Sequence, residues 1–219
     1  TNIKINNKII ENILDAFDRF NFTVAEDEPL ETEVAIDPEM LGKVFENLLD
    51  ENLRKGAGSY YTPRNIVNNM SINSICYYLF EKINKDIDYN DIKKCLTYVI
   101  GPDHNSELTK NLFSKKILNK ILDIDNYLSE IKIVDPAIGS GAFAVSVMNL
   151  VVKIRYFIKD NFIKHGNLSL YKLKKNFIQN CIFGVDIDPG AIEIAKLRLW
   201  LSLVVDEINY EKLEPLPNL

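Results

Sequence analysis

The chain is poor in the residues that usually announce redox or metal chemistry. It has three cysteines and two histidines among 219 residues. Cys76, Cys95 and Cys181 lie far apart and form no metal-ligand spacing, so they read as buried free thiols of a reducing compartment. His104 and His165 fall in polar stretches, Gly101-Pro102-Asp103-His104-Asn105 and Lys164-His165-Gly166-Asn167. Both read as loop residues, and neither is assigned a catalytic or metal role. No apolar run approaches the roughly 18 residues a membrane span requires, and no secretory h-region opens the sequence. Cytoplasm is the expected location. Basic residues are not in excess either. A net charge of -5 argues against a strongly basic nucleic-acid grip carried by this chain alone. A DNA substrate stays open, because a separate region could supply the groove. No internal repeat or low-complexity linker is present.

What is present is ordinary globular composition, 47% hydrophobic and 26% charged. The length suffices for one large core, or for a core with a helical annex. The stretch from Ile131 to Phe143 organises the rest. It reads as a short apolar strand, an acid at the strand's end (Asp135), a glycine turn, and the start of an apolar helix. In an α/β sheet a nucleotide-like ligand sits outside the carboxyl end of such a strand. Gly139 and Gly141 let the backbone turn tightly and approach a ligand closely. Asp135 would repel a pyrophosphate but could orient an ammonium group. The combination points to a cofactor with an amino-acid end.

Around this centre the periodicity is mostly helical. Ile10, Ile13, Leu14 and Phe17 form a stripe within residues 9–20, and the acidic stretch 21–36, interrupted by Pro29, reads as a surface connection. Asp37-Pro38 gives an N-cap and a first-turn proline ahead of Leu41, Val44, Phe45, Leu48 and Leu49. Gly56 to Ser59 stops that helix. Thr62-Pro63 is a second cap-plus-proline start, for a helix expected to turn Ile66, Val67, Met70, Tyr77 and Tyr78 to a core. Tyr60 and Tyr61 either pack beneath that helix end or form a lid over an anionic ligand group. Residues 86–130 read as two or three short helices around Gly101-Pro102, with Ile117, Leu118, Ile121 and Leu122 as the clearest stripe and no catalytic constellation. Residues 165–180 are an inserted, partly helical segment. Its Lys172, Lys174 and Lys175 suit a solvated face better than a DNA-phosphate contact. Cys181 to Asp188 is a second strand ending in acid, followed by an apolar helix over 191–206.

Gly139-Ser140-Gly141-Ala142-Phe143-Ala144 satisfies the loose dinucleotide pattern G-x-G-x-x-A. A dinucleotide fold places its ribose-binding acid about 20 residues beyond the loop. Here the next strand-end acid is Asp186, much farther on, which leaves NAD open without favouring it. One carboxylate suits two adjacent ribose hydroxyls. Asp186 is therefore read as a ribose clamp, with apolar Ile187 as a surface for a purine ring, and Asp188 as the cap of the helix beginning near Pro189.

Three segments together resemble the adenine-N6 DNA methyltransferases of bacterial restriction–modification systems, particularly the large fused enzymes of the type IIG class. They are Gly58 to Val67, Asp135 to Phe143, and Gly184 to Asp206, in that order; the helix at 37–49 is also family-like. The resemblance implies S-adenosylmethionine as cofactor. Tyr61, Thr62 and Pro63 would border its methionine end. Asp135, Pro136 and the Ala137 to Gly141 backbone, with Gly139 and Gly141, would cradle the same end. Asp186 would hold the ribose, and Ile187 would pack on adenine. Double-stranded DNA would be the substrate of the parent protein. Such enzymes carry an Asn/Asp-Pro-Pro-Tyr/Phe motif that holds the flipped adenine. No such tetrapeptide occurs in these residues, so no catalytic residue is assigned and no metal is expected.

The expected fold is α/β. A mainly helical region, 1–130, precedes the first part of a Rossmann-like methyltransferase sheet, 131–219, truncated after its second strand and helix. Two strands alone have open edges, so the fragment is expected to self-associate or to rely on its helices for cover. A dinucleotide-dependent oxidoreductase fragment and a non-catalytic helical interaction module are the competing readings.

Overall fold

The computed structural model of the chain describes residues 6–19, 42, 44, 62–101, 113–163, 169–204 and 206. The expected connection at 21–36, Tyr60, Tyr61, His104, His165 and most of the expected helix at 37–49 lie outside these residues. Within that last segment Gly42 and Val44 are both helical.

The described elements are mostly helical, with one small parallel sheet. In chain order they are α1 (Asn7–Arg19), α2 (Arg64–Lys82), α3 (Tyr89–Ile100), α4 (Lys115–Asn119), α5 (Ile121–Glu130), β1 (Ile133–Asp135), α6 (Ala142–Ile158), α7 (Leu170–Cys181), β2 (Ile182–Gly184) and α8 (Pro189–Val204). A π-helical turn, Lys159–Ile163, continues α6. Short polar side chains start several helices by accepting otherwise unpaired first-turn amides. Asp88 accepts from the amide of Asn90 at 2.8 Å, and Ser169 from that of Lys172 at 3.3 Å.

The hub is α6. Its sequence, Ala-Phe-Ala-Val-Ser-Val-Met-Asn-Leu-Val-Val, is apolar nearly all round, which is the signature of a helix packed on several sides. It contacts α2, α3, α5, α7, α8 and β1. One continuous core runs from Ile75 to Leu203 and joins the helices before β1 to the strand–loop–helix unit after it. Inside that core, burial pushes the Cys76 and Cys95 thiols up to about 11, and Cys181 is raised by the same cause. All three are free and buried, as the sequence suggested.

Two sequence expectations for α2 are corrected. The N-cap is Pro63, not Thr62, and no side chain caps the helix. The Pro63 carbonyl itself accepts from the amides of Ile66 and Val67 at 2.9 and 3.1 Å. The buried face is Val67, Ser71, Ile75, Cys76 and Leu79, whereas Ile66, Met70 and Tyr77 are exposed. The small, mixed face wins because α6 approaches closely there. Ser146 of α6 meets Asn68 at 2.9 Å and Ser71 at 3.2 Å, a contact bulky side chains would prevent. In α1 the exposed Ile10 and Leu14 likewise have no buried role, and Leu122 of the expected α4–α5 stripe faces solvent while Ile117 and Ile121 are buried.

Residues 86–130 hold structural chemistry that periodicity does not reveal. The buried Asp125 carboxylate of α5 takes Arg155 Nε at 2.9 Å and Lys159 Nζ at 3.0 Å. Arg155 and Lys159 are one helical turn apart, so one acid satisfies both and fastens α5 to the end of α6. The lysine face at 172–175 also needs correction. Lys174 is mostly buried, paired with Asp206 at 2.8 Å, and donates to the Ser202 carbonyl at 3.0 Å near the end of α8.

β1 and β2 pair in parallel with Ile133 opposite Ile182, Val134 opposite Phe183, and Asp135 opposite Gly184. The face carrying Ile182 is buried in the core. Val134, Phe183 and Val185 share the opposite face and are exposed. Each strand has a single partner among the described residues. The described helices therefore cover one face of the sheet, while Val134, Phe183 and Val185 on the other are exposed.

Candidate functional site

The ladder does not stop at the strand ends. Val185 N donates to the Asp135 carbonyl at 2.9 Å, and Ile138 N donates to the Val185 carbonyl at 3.0 Å. These bonds carry the glycine loop across to the tip of β2, so both strand-end acids reach one corner of the fold. Asp135 Oδ1 accepts from the amide of Ala137 at 3.1 Å and starts the turn. Gly139 at φ +53° and Gly141 at φ +83° are both left-handed, and Gly141 is the N-cap residue of α6. An L side chain pays roughly 1–2 kcal/mol for that conformation. The two glycines differ in their surroundings. A Cβ on Gly139 would meet nothing within 4 Å, while one on Gly141 would lie 3.0 Å from Ala195 Cβ. Gly139 is needed for its backbone angle; Gly141 is also needed for the close approach of α8.

Asp186 closes the loop. Its Oδ2 accepts from the Gly139 amide at 2.8 Å, and its Oδ1 accepts from the Asp188 amide at 2.9 Å. Asp188 Oδ1 accepts from Gly190 N at 2.8 Å, and its carbonyl accepts from Ile192 N. Asp188 is thus the cap of α8, as expected from the sequence. Ile187, between the two acids, is 87% exposed. Pro136 and Ala137 are exposed at the outer side of the turn.

The structure thus brings Asp135, Pro136, Ala137, Gly139, Gly141, Asp186 and Ile187 together. Thr62 and Pro63 precede α2 and are half-buried and exposed respectively; Tyr61 lies outside the described residues. The contact of Ser146 with Asn68 ties the second turn of α6 to the second turn of α2. Each helix start lies four residues, or about 6 Å of rise, from that contact. Among the described residues no cluster of acids, histidines and cysteines has the makings of a metal site.

One residue at this corner escaped the sequence reading. Arg198 of α8 is 2% exposed, and its Nη1 donates to the Ser140 carbonyl at 2.9 Å. The signal was available in its spacing. Ala191, Ala195, Arg198 and Ser202 fall at i, i+4, i+7 and i+11 and form one buried face of α8. A glycine within the expected helix at 37–49 was the other signal. A Cβ on Gly42 would lie 2.6 Å from Ser140 Oγ and 3.3 Å from Arg198 Nη1.

Two parallel strands followed by carboxylates, with a left-handed glycine turn leading into a helix start, make the kind of corner at which α/β sheets bind ligands. This architecture is compatible with part of a methyltransferase fold. Residues 180–218, which include β2, Asp186, Ile187 and α8, match the model of the Eco57I restriction-modification methylase family. The chain is also 37% identical over 215 residues to a protein of Methanocaldococcus jannaschii that carries the provisional name of type II restriction enzyme and methyltransferase. That similarity takes in 95% of this chain and 17% of the relative, so the chain spans less than a fifth of the relative's length. No helix among the described residues is long and apolar enough to cross a membrane.

Proposed function

We propose that this chain is the S-adenosylmethionine-binding part of a DNA adenine-N6 methyltransferase in a restriction–modification system. The observation that carries the reading is the pair of strand-end carboxylates set on either side of one glycine loop. Residues 1–130 would contribute the helical region with the Tyr61-Thr62-Pro63 corner, and 131–219 the partial Rossmann-like sheet. The match over 180–218 and the archaeal relative support the class.

The residues present fit such a cofactor. Asp135 has one carboxylate oxygen without a partner among the described residues, which suits an ammonium group. The space above Gly139 is open. The amides of Ala142, Phe143 and Ala144, in the first turn of α6, have no intrahelical acceptor and suit a carboxylate. Each Asp186 oxygen holds one amide and keeps a second lone pair, enough for a ribose diol. Ile187 offers an apolar surface beside it. S-adenosylmethionine, when bound, supplies an electrophilic methyl group; this chain's own residues bind and orient. Double-stranded DNA is the proposed substrate of the whole protein, and positioning would dominate the rate. The Asn/Asp-Pro-Pro-aromatic tetrapeptide is not within these 219 residues, so no catalytic residue is assigned. Self-association through the single-partnered strands remains part of the proposal, tested by light scattering across a concentration series.

Calorimetric titration of the unaltered chain with S-adenosylmethionine and with NAD tests the cofactor assignment. Saturable binding of S-adenosylmethionine alone is expected. Binding of NAD alone would sink the methyltransferase reading in favour of an oxidoreductase fragment.

A further inference from the structure

We infer that Arg198 is a positioning residue that fixes the glycine loop for the amino-acid end of the ligand. This rests on the cofactor reading above and adds a residue to it. Besides the backbone bond from Ile138 to Val185, three side chains among the described residues hold the loop between Asp135 and Ala142. Asp135 Oδ1 holds the Ala137 amide, Asp186 Oδ2 holds the Gly139 amide, and Arg198 Nη1 holds the Ser140 carbonyl. The first two are strand-end acids that also face the ligand corner. Arg198 acts from behind, on the buried face of α8, and has no access to the ligand.

The Ser140 peptide is the one that most needs an external hold. It lies between two left-handed glycines, and a Gly-Ser-Gly run has few steric limits of its own. The amide of that peptide, Gly141 N, donates to the Ile138 carbonyl at 2.9 Å. Rotation of the peptide would break this turn bond together with the Arg198 bond and free the Ser140 carbonyl to swing towards the open side, where it would repel a carboxylate. A guanidinium bonded to the carbonyl opposes that rotation, and its charge makes the bond a strong one. Packing adds to the hold, since Gly42 approaches both Ser140 and Arg198 too closely to carry a Cβ without displacement. The nucleoside half of the corner, Asp186 and Ile187, follows β2 and meets the loop one residue earlier, at the Gly139 amide.

That division gives the test a readout that a merely structural role would not move. S-adenosylhomocysteine carries the amino-acid end; 5′-methylthioadenosine lacks it. Dissociation constants for both are measured calorimetrically on the unaltered chain and on Arg198→Met and Arg198→Lys, with melting temperatures alongside. Arg198→Met is expected to weaken S-adenosylhomocysteine by about tenfold or more, the scale of one charge-assisted hydrogen bond, and to leave methylthioadenosine within about twofold. Arg198→Lys restores a cation and is expected to recover part of the loss. If Arg198→Met does not fold, the same selective loss, smaller, is expected in Arg198→Lys. Equal weakening of both ligands, or of neither, in the folded variants overturns the inference. If the unaltered chain binds neither adenosyl ligand, the cofactor reading itself falls and the inference falls with it.

Discussion

Replacing Asp186 by alanine should lower the stability of the unliganded chain as well as its affinity for a ligand. Two backbone amides, those of Gly139 and Asp188, end on this carboxylate at 2.8 and 2.9 Å. A hydrogen bond to a charged group contributes about 1.5–3 kcal/mol when sheltered. Asp186 is only half-buried, so water takes over part of what alanine removes, and the two bonds together are worth about 2 kcal/mol. For a chain of this size that corresponds to a fall in Tm of about 4–8 °C. Asp186→Asn keeps one acceptor oxygen but sets an N–H against the other amide, donor facing donor, so it should cost at least one of the two bonds, about 1 kcal/mol or more. Scanning calorimetry without ligand reads both variants. A Tm for Asp186→Ala within about 1 °C of the unaltered chain would refute the latch and leave Asp186 with a ligand role alone. The consequence for binding studies is direct: affinity lost in the alanine variant would mix an unlatched loop with the loss of the acceptor proposed for a ribose.

Other outcomes can be stated more briefly. Gly141→Ala should cost about 1–2 kcal/mol for the left-handed backbone and a further ~1–3 kcal/mol for crowding against Ala195; Gly139→Ala should cost only the first. Urea melts that rank the two equally would contradict this. Asp125→Ala strands the Arg155 and Lys159 cations near the core and should destabilise by about 3–5 kcal/mol, read by chemical denaturation. The Cys76 and Cys95 thiols are raised from 9.0 to about 11 by burial, so the folded chain holds these protons to higher pH than the unfolded chain. Their contribution is intact below pH 9.0 and declines as pH rises towards 11. The Cys76→Ala/Cys95→Ala variant should show a shallower loss of stability over that window; an unchanged slope would contradict the assignment.

The sequence by itself determined the local elements at the site. Strand, acid, glycine turn and apolar helix follow from residues 131–143, because a short apolar run ending in an acid, two glycines and a second apolar run are each local properties. The Asp188 cap and the helix after it were legible for the same reason: Asp-Pro-Gly encodes its own turn. Where the reading failed, the deciding partner was distant in sequence. α2 buries Ser71 and Cys76 and exposes Met70 and Tyr77 because α6 needs a small surface to approach. Lys174 is mostly buried because the end of α8 brings Asp206 and the Ser202 carbonyl to it.

Tertiary structure alone decided the wiring of the corner. Nothing local to Asp186 says that its carboxylate reaches back 47 residues to the Gly139 amide. Nothing local to Arg198 says that it crosses 58 residues to the Ser140 carbonyl. Both depend on β1 and β2 pairing in one register and on α8 returning across the start of α6. Side-chain type is a property of one position, whereas a hydrogen bond needs two groups brought together, and only the folded chain supplies the second.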